Sequence, residues 1–191
     1  MKIGFFGGSF NPPTFAHINL AKKAIQEGNL DKVIFVPIGD FYNKKNLAPA
    51  KDRYNMLKIA CDGINNLDVS DLELNAKEKM YAVDAFELIQ KNYKDDEVFF
   101  IMGADNFVKI GDWKNSEKLI NKFKYIVLDR ENIDVEEYIN KQSIDITKVI
   151  TIENKEYNNC SSSTFRENQS DDKKIVDDEV KKYIEYNNLF Q

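Results

Sequence analysis

Short, unbroken apolar runs alternate along this chain with longer stretches in which apolar residues return every three or four positions. Lys2-Ile3-Gly4-Phe5-Phe6 is the first run, too brief for a helix and suited to a buried strand. Ile18, Leu20, Ala21, Ala24 and Ile25 then recur at helical spacing up to Gly28, a C-terminal stop. Residues 32–38 form a second buried strand, closed by Gly39-Asp40. Its separation from the first fits a strand–helix–strand crossover, so the two are expected to be parallel. A polar, lysine-bearing loop over 40–47 leads into a helix through Arg53, Met56, Leu57 and Ala60. Residues 67–71 read as a short strand and 83–91 as a helix. Residues 97–102 are a strong strand ending at Gly103-Ala104-Asp105, 117–123 are helical, and 124–128 and 149–152 are further strands. The chain closes with an amphipathic helix over 177–186, with Val180, Tyr183 and Ile184 on one side.

This alternation predicts one α/β domain over residues 1–191, a largely parallel sheet with helices on both faces. No internal repeat, low-complexity tract or linker interrupts it. Gly7-Gly8, the 40–45 loop and Gly103-Ala104-Asp105 all fall just after the C-terminal ends of strands. In open α/β sheets that edge is where ligands bind.

Composition narrows the function classes. At 191 residues with 42% hydrophobic and 12% aromatic content, the chain can bury a substantial core. A formal net charge of −5 argues against nucleic acid or an anionic membrane surface as a partner. Cys61 and Cys160 lack metal-ligand spacing and read as reduced thiols of a cytoplasmic protein. The N-terminal apolar run is too short for a signal-peptide core, and no stretch of about 20 apolar residues follows.

The sharpest local signal is Gly7-Gly8-Ser9-Phe10-Asn11-Pro12-Pro13-Thr14-Phe15-Ala16-His17. It reads as strand end, glycine turn and helix start, an arrangement that aims free backbone N–H groups and a positive helix end at one spot. Thr14 suits the N-cap, which places His17, the only histidine, at the third helical position. The turn is not a dinucleotide fingerprint, since its third glycine is missing, nor a P-loop, which ends in Gly-Lys-Ser/Thr.

Gly7 to Pro12, Thr14 and His17 resemble the N-terminal signature of the nucleotidylyltransferase superfamily, known for its H-x-G-H motif. The first histidine of that motif is Thr14 here and its glycine is Ala16. The threonine form resembles nicotinate and nicotinamide mononucleotide adenylyltransferases. The segment from Gly39 to Lys45, with Arg53 and Met56, is similar to that family's substrate loop and following helix. Gly103-Ala104-Asp105 resembles its ribose-binding segment, and Asp112-Trp113 its pyridine-stacking segment. Residues 161–166, Ser-Ser-Ser-Thr-Phe-Arg, resemble its late Ser-Ser-Thr-x-x-Arg signature, with Ser163 where threonine is usual. Ala82 likewise stands where bacterial relatives usually carry threonine.

The resemblance implies a Rossmann-like, doubly wound fold and adenylyl transfer from ATP to nicotinate or nicotinamide mononucleotide in NAD biosynthesis. The attacking phosphomonoester is already mostly ionised at neutral pH, its second pKa being roughly 6, so no general base is required. It also implies ATP contacts from Gly8, Ser9, Phe10, Thr14, His17, Gly103, Asp105, Ser161, Ser162 and Arg166. Lys44, Lys45, Tyr81 and Trp113 would meet the mononucleotide, with Lys45 the preferred phosphate cation and Lys44 its alternate. His17, Lys45 and Arg166 would carry the charge stabilisation. Mg²⁺ is expected on the ATP phosphates, with no dedicated protein cage. Alternatives are a relative acting on pantetheine phosphate or a cytidylyl acceptor, and a non-catalytic nucleotide sensor. The acid or amide form of the ring and a homo-oligomeric partner stay open.

Overall fold

The computed structural model describes residues 1–42, 45–129, 133–153, 161–167 and 175–190. In chain order the elements are β1 (Lys2–Gly8), α1 (Phe15–Glu27), β2 (Lys32–Pro37), α2 (Ala50–Cys61) and β3 (Leu67–Val69). They continue with α3 (Ala82–Asn92), β4 (Glu97–Gly103), α4 (Ala104–Phe107), α5 (Ser116–Lys122) and β5 (Lys124–Leu128). Then follow α6 (Val135–Lys141), β6 (Val149–Ile152), α7 (Ser162–Glu167) and α8 (Asp178–Tyr186). Short 3-10 turns cover Ile110–Asp112 and Ile146–Lys148.

Six strands form one sheet in the order β3-β2-β1-β4-β5-β6. Every pairing is parallel, which sharpens the expectation of a largely parallel sheet. The strand order is that of a doubly wound α/β fold, whose switch point lies between β1 and β4.

The continuous apolar runs have a direct physical reason: both faces of each central strand are buried. Ile3 and Phe5 of β1, Ile34 and Val36 of β2, and Val98, Phe100 and Met102 of β4 enter one core with α3, α5 and α6. Phe6, Val33, Phe35, Phe99 and Ile101 enter the other, against α1 and α2. A third cluster joins Met56 of α2 to Ile175, Val176, Val180 and Ile184, with Phe165 of α7 packed on it. The last helix therefore underlies the segment that carries Arg166.

Gly28 ends α1 as expected, but for a different reason. Its φ is −80°, an ordinary helical value, and the left-handed residue is Asn29 at φ 50°. A Cβ on Gly28 would lie 2.7 Å from Ile126 Cδ1 and 2.5 Å from the Ala24 carbonyl oxygen, so the glycine serves close packing. The pattern reading missed α4 and α6. Four residues are too few to show a period, and α6 offers only Val135 and Ile139 as buried positions.

Candidate active site

β1 runs out at Gly7-Gly8, and the chain turns sharply into α1. Phe10 takes the turn with φ 46°, a left-handed conformation that is strained for a bulky residue. It is held by burial: its ring meets Phe35 at 5.3 Å, Phe6 at 5.6 Å and His17 at 5.1 Å, all edge-on. A Cβ on Gly8 would sit 2.9 Å from that ring, which explains a glycine there. The Asn11–Pro12 bond is cis.

Thr14 stands at the N-cap with extended backbone, as the sequence predicts. Its N–H donates to His17 Nδ1 at 3.0 Å, and its hydroxyl lies 2.8 Å from the same nitrogen. An Nδ1 that accepts from a backbone N–H carries no proton, so the neutral ring bears its proton on Nε2. The cap thus sets both the orientation and the tautomer of His17.

The late serine-rich motif folds onto this turn. Ser161 caps α7, its Oγ accepting from Thr164 N at 3.1 Å. Ser162 Oγ donates to the Pro12 carbonyl at 2.8 Å, and Arg166 Nη1 donates to the Asn11 carbonyl. The Phe15 N–H reaches the Ile175 carbonyl at 2.9 Å. Two stretches about 150 positions apart in sequence therefore form one local structure.

Arg53 supports the turn from below and is fully buried. Nε donates to the Ala48 carbonyl at 2.8 Å, Nη1 to the Ser9 carbonyl at 3.1 Å, and Nη2 faces Asp40 Oδ1 at 3.5 Å. Burial pulls the guanidinium below its ordinary range, and Asp40 and Glu73 oppose that. Asn11 adds a second brace, donating to the Asn46 carbonyl at 2.8 Å and accepting from Ala48 N at 2.9 Å.

Beside Gly7, Gly8 and Ser9 opens a cavity of about 500 Å³. Phe5, Phe86 and Phe100 line its apolar floor, the last two rings stacked at 3.5 Å. Trp113, directly after the 3-10 turn, forms part of the wall, together with Tyr42 and Tyr81. Tyr81 is the N-cap of α3, and Ala82, its first helical residue, also lines the space.

Three charged lining residues were not singled out by sequence: Glu73, Lys79 and Lys114. Glu73 is 8% exposed, and its Oε2 accepts from Gly39 N at 3.0 Å. Burial pushes its carboxyl above the usual range, while the Gly39 N–H and Arg53 pull it back. The nearby Tyr42 hydroxyl donates its one proton to the Met80 carbonyl at 2.5 Å. No periodicity or motif marks Glu73, since its partners lie 31 to 34 positions upstream in the 39–42 loop and only folding brings them together.

Most of the predicted residues fall into two groups. Gly8, Ser9, Phe10, Thr14, His17, Ser161, Ser162 and Arg166 gather around the turn. Tyr81 and Trp113 share the cavity. Gly103 and Asp105 lie at the end of β4, where the Asp105 carboxylate folds back over Gly103. Lys45 is exposed on the loop before α2, and Lys44 lies outside the described residues, as does Cys160. Cys61 is buried, which pushes its thiol up to about 12. Among the described residues, no helix is long and apolar enough to cross a membrane.

A profile of the cytidylyltransferase-like family matches residues 5–168. The chain is 34% identical to the probable nicotinate-nucleotide adenylyltransferase of Fusobacterium nucleatum, which it matches over 97% of both chains. Identity is 32% to the same-named protein of Caldicellulosiruptor bescii, over the full length of both. Among solved structures, a Plasmodium falciparum nicotinic acid mononucleotide adenylyltransferase complexed with NaAD has the same fold. Its TM-score is 0.83 over 99% of this chain and 97% of that one, at 24% identity. Matched end to end by such relatives, the chain belongs to the nicotinate-nucleotide adenylyltransferase family of cytidylyltransferase-like proteins.

Proposed function

We propose that this protein transfers the adenylyl group of ATP to nicotinate mononucleotide in NAD biosynthesis, with residues 1–191 acting as one nucleotidyltransferase domain. An oxygen of the mononucleotide phosphate attacks the α-phosphorus of ATP in line. The bond from that phosphorus to the pyrophosphate oxygen breaks, giving nicotinate adenine dinucleotide and pyrophosphate.

The observation that carries this reading is the contact of Ser162 and Arg166 with the carbonyls of Pro12 and Asn11. It sets a cationic fork and a serine-capped helix start beside the glycine turn and His17, next to an aromatic cavity of mononucleotide size. Gly8, Ser9 and Phe10 offer the turn, Thr14 its cap, and His17 Nε2 a donor for charge growing on the phosphates. Ser161, Ser162 and Arg166 hold the pyrophosphate end, and Gly103 and Asp105 take the ribose. Trp113 and Tyr81 flank the pyridine ring. With an ionised nucleophile, catalysis is positioning and charge stabilisation.

Nucleotidyl transfer from ATP generally uses a divalent metal. Mg²⁺ suits a site of this kind because it is carried chiefly by phosphate oxygens and water, where it neutralises charge. Among the described residues no three His, Cys, Asp or Glu side chains converge on a metal site. On this reading the protein's own part is to hold the phosphates that carry the metal.

The test is pyrophosphate release with ATP and Mg²⁺ against nicotinate mononucleotide, nicotinamide mononucleotide and phosphopantetheine. The nicotinate form is expected to turn over fastest. Release with phosphopantetheine alone, or with none of the three, would overturn the reading.

A further inference from the structure

Only three charged side chains line the cavity among the described residues: Glu73, Lys79 and Lys114. Glu73 is turned toward the Gly39 N–H, on the side of Arg53. The two lysines converge on one ring at the mouth. Lys114 Nζ lies 4.0 Å from the centroid of Tyr81, and Lys79 Nζ lies 5.3 Å from the same centroid and 5.5 Å from that of Tyr42. Among the described residues, neither ammonium has a carboxylate within ion-pair distance. Two like charges drawn to one aromatic ring, with no acidic partner among the described residues, leave a positive potential aimed at whatever enters.

We infer that Lys79 and Lys114 are specificity residues that select an anionic substituent on the ring bound in this cavity, favouring a pyridine carboxylate over a carboxamide. The inference rests on the reaction proposed above. Lys114 follows Trp113 directly, so a ring lying against the indole keeps its substituent within reach of that ammonium group. Ala82 has no polar side-chain atom to serve instead, and the Asn106 amide can bond to acid or amide alike. An ammonium group discriminates between them because only the carboxylate carries a charge for it to attract.

Trp113, the only tryptophan, reports binding without turnover. Its fluorescence would be titrated with nicotinate mononucleotide and with nicotinamide mononucleotide. The proteins compared are the wild type, Lys79→Gln, Lys114→Gln, the double variant and Lys114→Arg. The wild type is expected to bind the acid more tightly, and rising salt to narrow the gap. Each glutamine variant lowers the acid-to-amide affinity ratio by about five-fold, the scale of a partly screened ion pair. Lys114→Arg restores it. In turnover the loss falls on KM for the acid, with kcat kept. An unchanged ratio in the double variant overturns the role of the lysines and leaves the proposed reaction standing. A protein that binds neither mononucleotide, yet releases pyrophosphate with phosphopantetheine, overturns both.

Discussion

The two sides of the cleft are built differently. The turn side is made of backbone: carbonyls of Ser9, Asn11 and Pro12 held by Arg53, Arg166 and Ser162, and a helix cap shared by Thr14 and His17. The cavity side is made of side chains drawn from β1, β2 and the loop after it, the 70s segment, α3, β4, α4 and the Trp113-Lys114 pair. A backbone cradle needs its residues in a fixed local order, because turn and cap geometry repeat only when the same types recur at the same offsets. A side-chain pocket needs only that suitable groups arrive at one place. The turn side is therefore expected to fail sharply when one atom is removed, and the cavity side to weaken by degrees.

His17 is the strongest way to break that contrast. His17→Ala is expected to lower kcat by at least about 100-fold, the scale of one lost transition-state donor. It also strips the acceptor from the Thr14 N–H, worth about 1 kcal/mol at a cap. That corresponds to a fall of about 3 °C in Tm for a chain of this size. His17→Asn separates the two effects, since its amide oxygen can replace Nδ1 but nothing replaces Nε2. Stability should return without activity. If turnover returned too, His17 would be a cap and nothing more.

Arg166 comes next. Arg166→Lys keeps the charge but loses the fork that can reach the Asn11 carbonyl with one arm and leave the other for the phosphate proposed there. A fall of about tenfold in kcat/KM for ATP is expected, with the mononucleotide KM held. An equal loss for both substrates would mean that Arg166 supports the fold of the turn rather than one ligand.

The same contrast explains what was legible in the sequence. The strands, α1, α2, α3 and α8 could be read because burial on two faces, or on one stripe, imposes a period. The turn could be read because Gly8, Thr14 and His17 are fixed by local geometry; Ser161 to Arg166 were found only by their resemblance to a family signature, and the structure adds that Ser161 caps a helix there. Arg53 appeared as a helix position and as part of a resemblance, yet it is a buried hub whose carbonyl partners span Ser9 to Ala48. Glu73, Lys79 and Lys114 could not be found, since each owes its role to neighbours supplied by other elements. In chain order they look like ordinary charges in polar segments.

Trp113 tests the cavity side. It is half-buried, packs against the core around Phe100, and also lines the cavity. Trp113→Ala is expected to raise the mononucleotide KM about tenfold, from lost stacking and apolar contact, while ATP affinity holds. Trp113→Phe should recover most of the loss. A sharp collapse in kcat, with KM unchanged, would show that the cavity behaves like the turn and would dissolve the distinction.

Glu73 should give the smallest effect, and one visible only as a function of pH. Its carboxyl is buried at the cavity wall and raised above the ordinary glutamate value of 4.5, chiefly by desolvation. A raised folded pKa means that the folded protein holds this proton more tightly than the unfolded chain does. Its contribution is complete below 4.5 and is lost as pH climbs through the raised value. Glu73→Gln keeps an acceptor for the Gly39 N–H and removes the charge. The variant and the wild type should then differ by one constant offset below pH 4.5. Above it the variant gains on the wild type, by about 3 °C for each kcal/mol of desolvation cost that the removed charge no longer imposes. Thermal melts across that range decide the matter. A difference that stays flat with pH would mean that Glu73 keeps its charge at no cost, with Arg53 as a full partner, and the cavity would carry a fixed negative charge opposite its two lysines.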